Sequence, residues 1–164
     1  MNWDAIGAIG EIVGASAVVM SLVYLAIQIR NQNIESRSAA VHQVLESNKS
    51  FISQLQDPSL AEIWIAGIDD FDSLTDVQRL RFVIYLTVAL RSFEDAYFQW
   101  RSGRLDEETW HTLTAVIKDV KSTDAFGQFL AMRRHHFRPE FARYLEELEP
   151  GDYSYIKAVS SGDA

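Results

Sequence analysis

The sequence predicts an all-α protein, with one N-terminal transmembrane helix followed by a small soluble helical bundle. Three observations carry this. Residues 5–29 form an apolar run in which Glu11 is the only charge. The rest of the chain repeats apolar residues at helical spacing, with capping signals between the repeats. Strand-like alternation and Asn-Gly hairpin signals are missing from the sequence.

At about 1.5 Å per residue, the opening run is long enough for a hydrocarbon core about 30 Å thick. Its small and polar residues are ordered. Gly7, Gly10, Gly14, Ala17 and Ser21 follow one another at spacings of three, four, three and four, and the rhythm continues through Tyr24, Gln28 and Asn31. This is a heptad seam built from small side chains, which let helix backbones approach closely inside a membrane. Gly7, Gly10, Gly14, Ala17, Ser21 and Gln28 are therefore the predicted helix–helix interface. Ala8, Ala15 and Ser16 lie off the stripe and dilute it. Glu11, beside the seam, is the one intramembrane charge; such groups face protein, water or the headgroups.

The flanks set the topology. Asp4 precedes the run, and Arg30, Asn31, Gln32 and Asn33 follow it without a small-x-small cleavage site. This predicts an uncleaved anchor rather than a secretory signal. Arg30 and Arg37 follow the span while no Lys or Arg precedes it, so the positive-inside rule places the N-terminus outside and the soluble domain in the cytoplasm. Trp3 is the expected interfacial aromatic at the outer end. The domains expected are residues 1–33 for the span and its flanks, 34–155 for a soluble helical domain, and 156–164 for a flexible tail.

The helices follow in order. The span is expected to run on past Asn33 into a stretch from Ile34 to Gln56, where Val41, Val44, Leu45, Phe51, Ile52 and Leu55 recur at helical spacing. Asp57-Pro58 starts a short helix toward Ala66, with Asp as N-cap and Pro at the first helical position. Gly67 to Leu74 is expected as a loop. Its Asp69, Asp70 and Asp72 lack the central Gly and distal Glu of a calcium loop. Thr75 and Gln78 form a capping box that opens the longest helix of this part, to about Trp100. Its uncharged segment Phe82 to Leu90 predicts the central core helix, and Gly103 ends it. Asp106 caps the next helix, with Glu107 and Glu108 in the first turn. A break over Lys121–Asp124 precedes a helix through Phe126, Phe129, Leu130 and Met132. Arg138-Pro139 opens the last helix, which Pro150-Gly151 stops.

Composition limits the chemistry. The net charge is −8; Asp4, Glu11 and Arg30 make the first 33 residues −1, leaving −7 on the rest. Nucleic acid is therefore not an expected partner. The chain has no cysteine, so thiol and disulfide chemistry are excluded. Phosphate-binding glycine loops and a Gly-x-Ser-x-Gly elbow are also missing. Glu108 and His111 make one Glu-x-x-His pair, where a helical di-iron site needs two and further carboxylates; Glu94, His42 and Glu46 complete only a lopsided set. No metal, cofactor or catalytic residue is predicted. Arg133, Arg134, His135, His136 and Arg138 form a basic cluster, expected as a solvated or headgroup-facing helix end. Arg91, Glu94 and Asp95 share a helix face and predict a structural charge network.

Two passages, residues 3–33 and RFVIYLTVALRSFEDAYFQWRSGRLDEETW at residues 81–110, together with FRPEFARYLEEL at 137–148, resemble a widespread group of bacterial single-span membrane proteins without an assigned activity. The resemblance implies a bacterial inner-membrane location and a helical fold, and nothing about mechanism. The function expected from the seam is that of a non-enzymatic membrane-anchored scaffold. It would work in the lipid bilayer through residues 7–28, as a homo-oligomer or with another membrane protein. A small channel or channel accessory, and a membrane-tethered enzyme or ligand sensor, are the alternatives.

Overall fold

A computed structural model describes residues 3–153, with side chains described at all of these except 4–10 and 13. The expected tail lies outside the described residues. The described chain is all-helical, with six α-helices and no strand. They are α1 (Trp3–Gln54), α2 (Pro58–Asp69), α3 (Asp76–Arg101), α4 (Glu107–Lys121), α5 (Asp124–Arg133) and α6 (Pro139–Glu147). The chain divides into two compact units, residues 1–39 and 40–164. The division falls inside α1, where Ala40 and Val44 are its first buried side chains.

Local chemistry sets the helix ends of the second unit. The Asp57 carboxylate accepts from the Leu60 N–H at 3.0 Å and starts α2. The Ser59 hydroxyl and then the Leu60 N–H hold that carboxyl below its usual pKa. Thr75 and Gln78 make the reciprocal capping box at α3, and the Asp106 carboxylate accepts from the Thr109 N–H at 2.8 Å at α4. Gly103 takes φ +71° just beyond α3, a left-handed turn that other residues adopt only at a cost. The expected loop from Gly67 is shorter than its composition suggests. Here α2 runs on to Asp69, and Asp70 then caps a 3₁₀ turn, Phe71–Ser73, by accepting from the Asp72 N–H.

In this unit α3 is the centre. Phe82, Leu86, Ala89, Leu90, Phe93 and Ala96 are buried along it. At its N-terminal half, Trp64 of α2 stacks on Phe82 with ring centroids 5.1 Å apart, and Phe51 of α1 stacks on Tyr85 at 4.7 Å. Burial, then the nearby Tyr153, raises the Tyr85 phenol above its ordinary pKa. It therefore stays protonated and donates to the Phe51 carbonyl at 3.1 Å. At the C-terminal half, Tyr97 packs against Trp110 of α4 and Phe141 and Tyr144 of α6, while Trp100 stacks on Trp110 at 5.3 Å. The segment from α6 to Tyr153 is tied down as well. The Lys121 ammonium donates to the carbonyls of Leu145 and Glu146 in the last turn of α6 and of Leu148 at its C-cap. The Trp64 indole N–H donates to the Tyr153 hydroxyl at 2.9 Å.

One glycine in this core is set by close approach. A Cβ on Gly67 would lie 2.6 Å from the ring of Phe82, and Phe82 is only 1% exposed with no room to retreat. Gly67→Ala is therefore expected to cost about 1–3 kcal/mol by overpacking. Urea denaturation of the full chain followed by near-UV circular dichroism checks this; an unchanged midpoint would contradict the packing described.

Candidate functional site

The membrane-helix candidate lies in α1, over Gly14–Gln54. It is the helix, among the described residues, long and apolar enough to cross a bilayer by length and composition. Every residue from Gly14 to Ala39 is exposed. Val18, Val19, Met20, Leu22, Val23, Leu25, Ile27 and Ile29 are each at least half exposed. Exposed apolar surface of this extent is the kind that marks contact with a membrane or with another protein.

Seam residues Gly14, Ala17, Ser21 and Gln28 lie on this exposed helix, with spacings that bring them to one face. A Cβ on Gly14 would meet nothing within 4 Å among the described residues. The Ser21 hydroxyl donates to the Ala17 carbonyl of its own helix at 2.9 Å. That leaves its oxygen as an acceptor rather than a free donor. Glu11 is exposed. The backbone at Gly7 and Gly10 is helical, and what surrounds their Cα atoms lies outside what is described.

The predicted charge network on α3 divides into two. Glu94 is only 6% exposed. One of its oxygens accepts from Arg91 Nη1 at 2.8 Å, and the other from the backbone N–H of Arg138 at 2.6 Å. Arg138 is the N-cap residue of α6 and has no side-chain cap of its own. Glu94 thus fastens the start of α6 to α3. Asp95 does not join this pair. Its carboxylate accepts instead from Gln99 Nε2 at 2.8 Å and from Gln43 Nε2 of α1 at 3.2 Å. The physical reason is the direction of the helix face: Arg91 turns toward the Phe137 ring, 5.4 Å from its centroid, on the side of Glu94. Gln43, Gln99 and the Arg138 N–H were not legible in the sequence as partners, since two of the three contacts join distant segments.

The metal reading fares differently from its sequence pattern. His111 Nε2 lies 3.2 Å from Glu107, not Glu108. No group of three or more His, Asp or Glu poised to hold a metal occurs among the described residues. The basic cluster is partly spent internally: Arg134 pairs with Glu146, and the Arg138 guanidinium sits 4.5 Å from the Phe98 ring centroid. Compared with protein-family models, curated proteins and solved structures, the chain matches none of them.

Proposed function

We propose that this chain is a membrane-anchored helical interaction protein of the bacterial inner membrane. In this reading the apolar half of α1 crosses the bilayer with the N-terminus outside. Its small-residue stripe packs against another transmembrane helix, from a second copy or from a larger membrane complex, and the helical unit works in the cytoplasm. One observation carries the reading: the uncharged stretch from Ile12 to Ile29, exposed at every residue from Gly14 on, contains a small or polar residue at each seam position. Without a hydrophobic drive between helices in lipid, close backbone approach is what such a stripe provides. A pore reading is weaker, because Leu22, Val23, Leu25 and Ile27 crowd the segment between Ser21 and Gln28.

The double substitution Gly10→Leu and Gly14→Leu tests this by placing bulk on the stripe. It is expected to lower the oligomer mass, or strip the partner, of detergent-solubilised chain in light scattering. The urea midpoint of the helical unit should stay unchanged. An unaltered mass with an intact fold would contradict the seam.

A further inference from the structure

One crevice in the helical unit combines a small volume with a polar group that the fold leaves unmet. It lies between α1, α3 and α4 and has a volume of about 10 Å³. Val44, Phe51, Phe93 and Leu113 are among its apolar walls, and Asn48 of α1 and Ser92 of α3 are its two polar residues. Asn48 Oδ1 is shut off from solvent and accepts no hydrogen bond from the described residues. Turning the amide over would only exchange an unmet acceptor for an unmet donor. The Ser92 hydroxyl makes a long 3.4 Å bond to the Val88 carbonyl of its own helix, which leaves its lone pairs able to accept. Polar groups buried in this way are paired in folded proteins, by other protein groups or by an ordered water.

We propose that this crevice is a one-water site that joins α1 to α3, the water donating to Asn48 Oδ1 and to the Ser92 hydroxyl oxygen. Size, charge and hydrogen bonding each select this ligand. The volume is about that needed for a single water and too small for an organic molecule. The lining carries no charged side chain to balance an ion. Its two polar residues offer one acceptor each, which matches the two protons of a water. A neighbouring crevice supplies the contrast. It shares Phe51, Ala89 and Phe93 with the first and is larger, at about 20 Å³. Its lining is apolar, Val116, Val120 and Phe126 included, and its one indole N–H, on Trp64, is already given to Tyr153. Such a space stays dry. Phe51 and Ser92 also border an open groove along His42 and Glu46, which gives the water a route to bulk solvent. With the bond from Gln43 to Asp95, the water makes the contact between α1 and α3 partly polar.

Magnetic relaxation dispersion of the water oxygen tests this on the full detergent-solubilised chain. It counts long-lived buried waters and is blind to proton exchange with hydroxyls. At roughly one buried water per 27 residues, a chain of 164 residues holds about six. Asn48→Leu removes the acceptor and fills the space, so it is expected to lower the dispersion amplitude by about one-sixth. Val120→Ile, which adds bulk to the dry crevice, should leave the amplitude unchanged. Near-UV circular dichroism checks that each variant keeps its fold, and Ser92→Val replaces Asn48→Leu if that chain does not. An unchanged amplitude in a folded Asn48→Leu or Ser92→Val chain overturns the site. An equal fall in Val120→Ile overturns it as well, because the two crevices would then not differ in water.

Discussion

Phe141→Ala is expected to destabilise the helical unit by about 3–5 kcal/mol, the range for truncating a buried aromatic. Phe141 is fully buried, with ring centroids of Tyr97 and Phe137 at 5.5 and 6.0 Å. The size of the effect follows from the helix that carries it. At nine residues, α6 cannot persist without tertiary packing, and its buried side chains are Phe141, Ala142 and Leu145. Opening a cavity there also loosens the carbonyls that Lys121 caps and the aromatic group around Tyr97. Against a typical total of about 5–15 kcal/mol, such a loss consumes much of the stability. Urea titration of the full chain by near-UV circular dichroism reads it; a loss below about 1 kcal/mol would mean that α6 is not part of the core.

Glu94→Ala is expected to cost about 2–4 kcal/mol, mostly through the backbone rather than through the ion pair. The substitution leaves the Arg138 N–H without its 2.6 Å acceptor, at a helix start whose N-cap side chain does not cap. Arg91, by contrast, is 51% exposed and regains water when its partner goes. Arg91→Ala should therefore cost under about 1 kcal/mol, and Glu94→Gln, which keeps an acceptor for Arg138, should fall between the two. Unfolding midpoints of the three variants decide the matter. Equal losses for Arg91→Ala and Glu94→Ala would make the salt bridge, not the α6 fastening, the main interaction.

What the sequence made legible was local. Asp57-Pro58, the Thr75 and Gln78 box, and Asp106 announce helix starts because the groups they satisfy lie within three residues. The exposed face of α3 was not legible. Phe82 to Leu90 is apolar on every side, so periodicity had no contrast with which to separate buried Leu86 from exposed Ile84 and Val88. The division of the charge network was hidden for a different reason. Arg91, Glu94 and Asp95 are neighbours on one helix, and helix geometry permits several pairings. The choice is made by groups from elsewhere: the Arg138 N–H, 44 residues beyond Glu94, and Gln43, 52 residues before Asp95. The Asp-rich segment after Gly67 misled through composition. Asp70 and Asp72 serve a 3₁₀ turn, where a short acidic side chain satisfies a backbone N–H.

The central claim is that the small-residue face of α1 meets another helix within a membrane. Site-specific photo-crosslinking in native membranes tests it most directly, with the crosslinker placed singly at each position from Gly14 to Gln28 of the full chain. Adducts are expected to peak at 14, 17, 21 and 28 and to fall at Ala15, Val19, Leu22 and Ala26, whatever mass the partner has. Adducts of twice the chain mass identify a second copy, and any other discrete mass a foreign subunit. A flat profile, or one that peaks on the Val19 and Leu22 side, would contradict the seam.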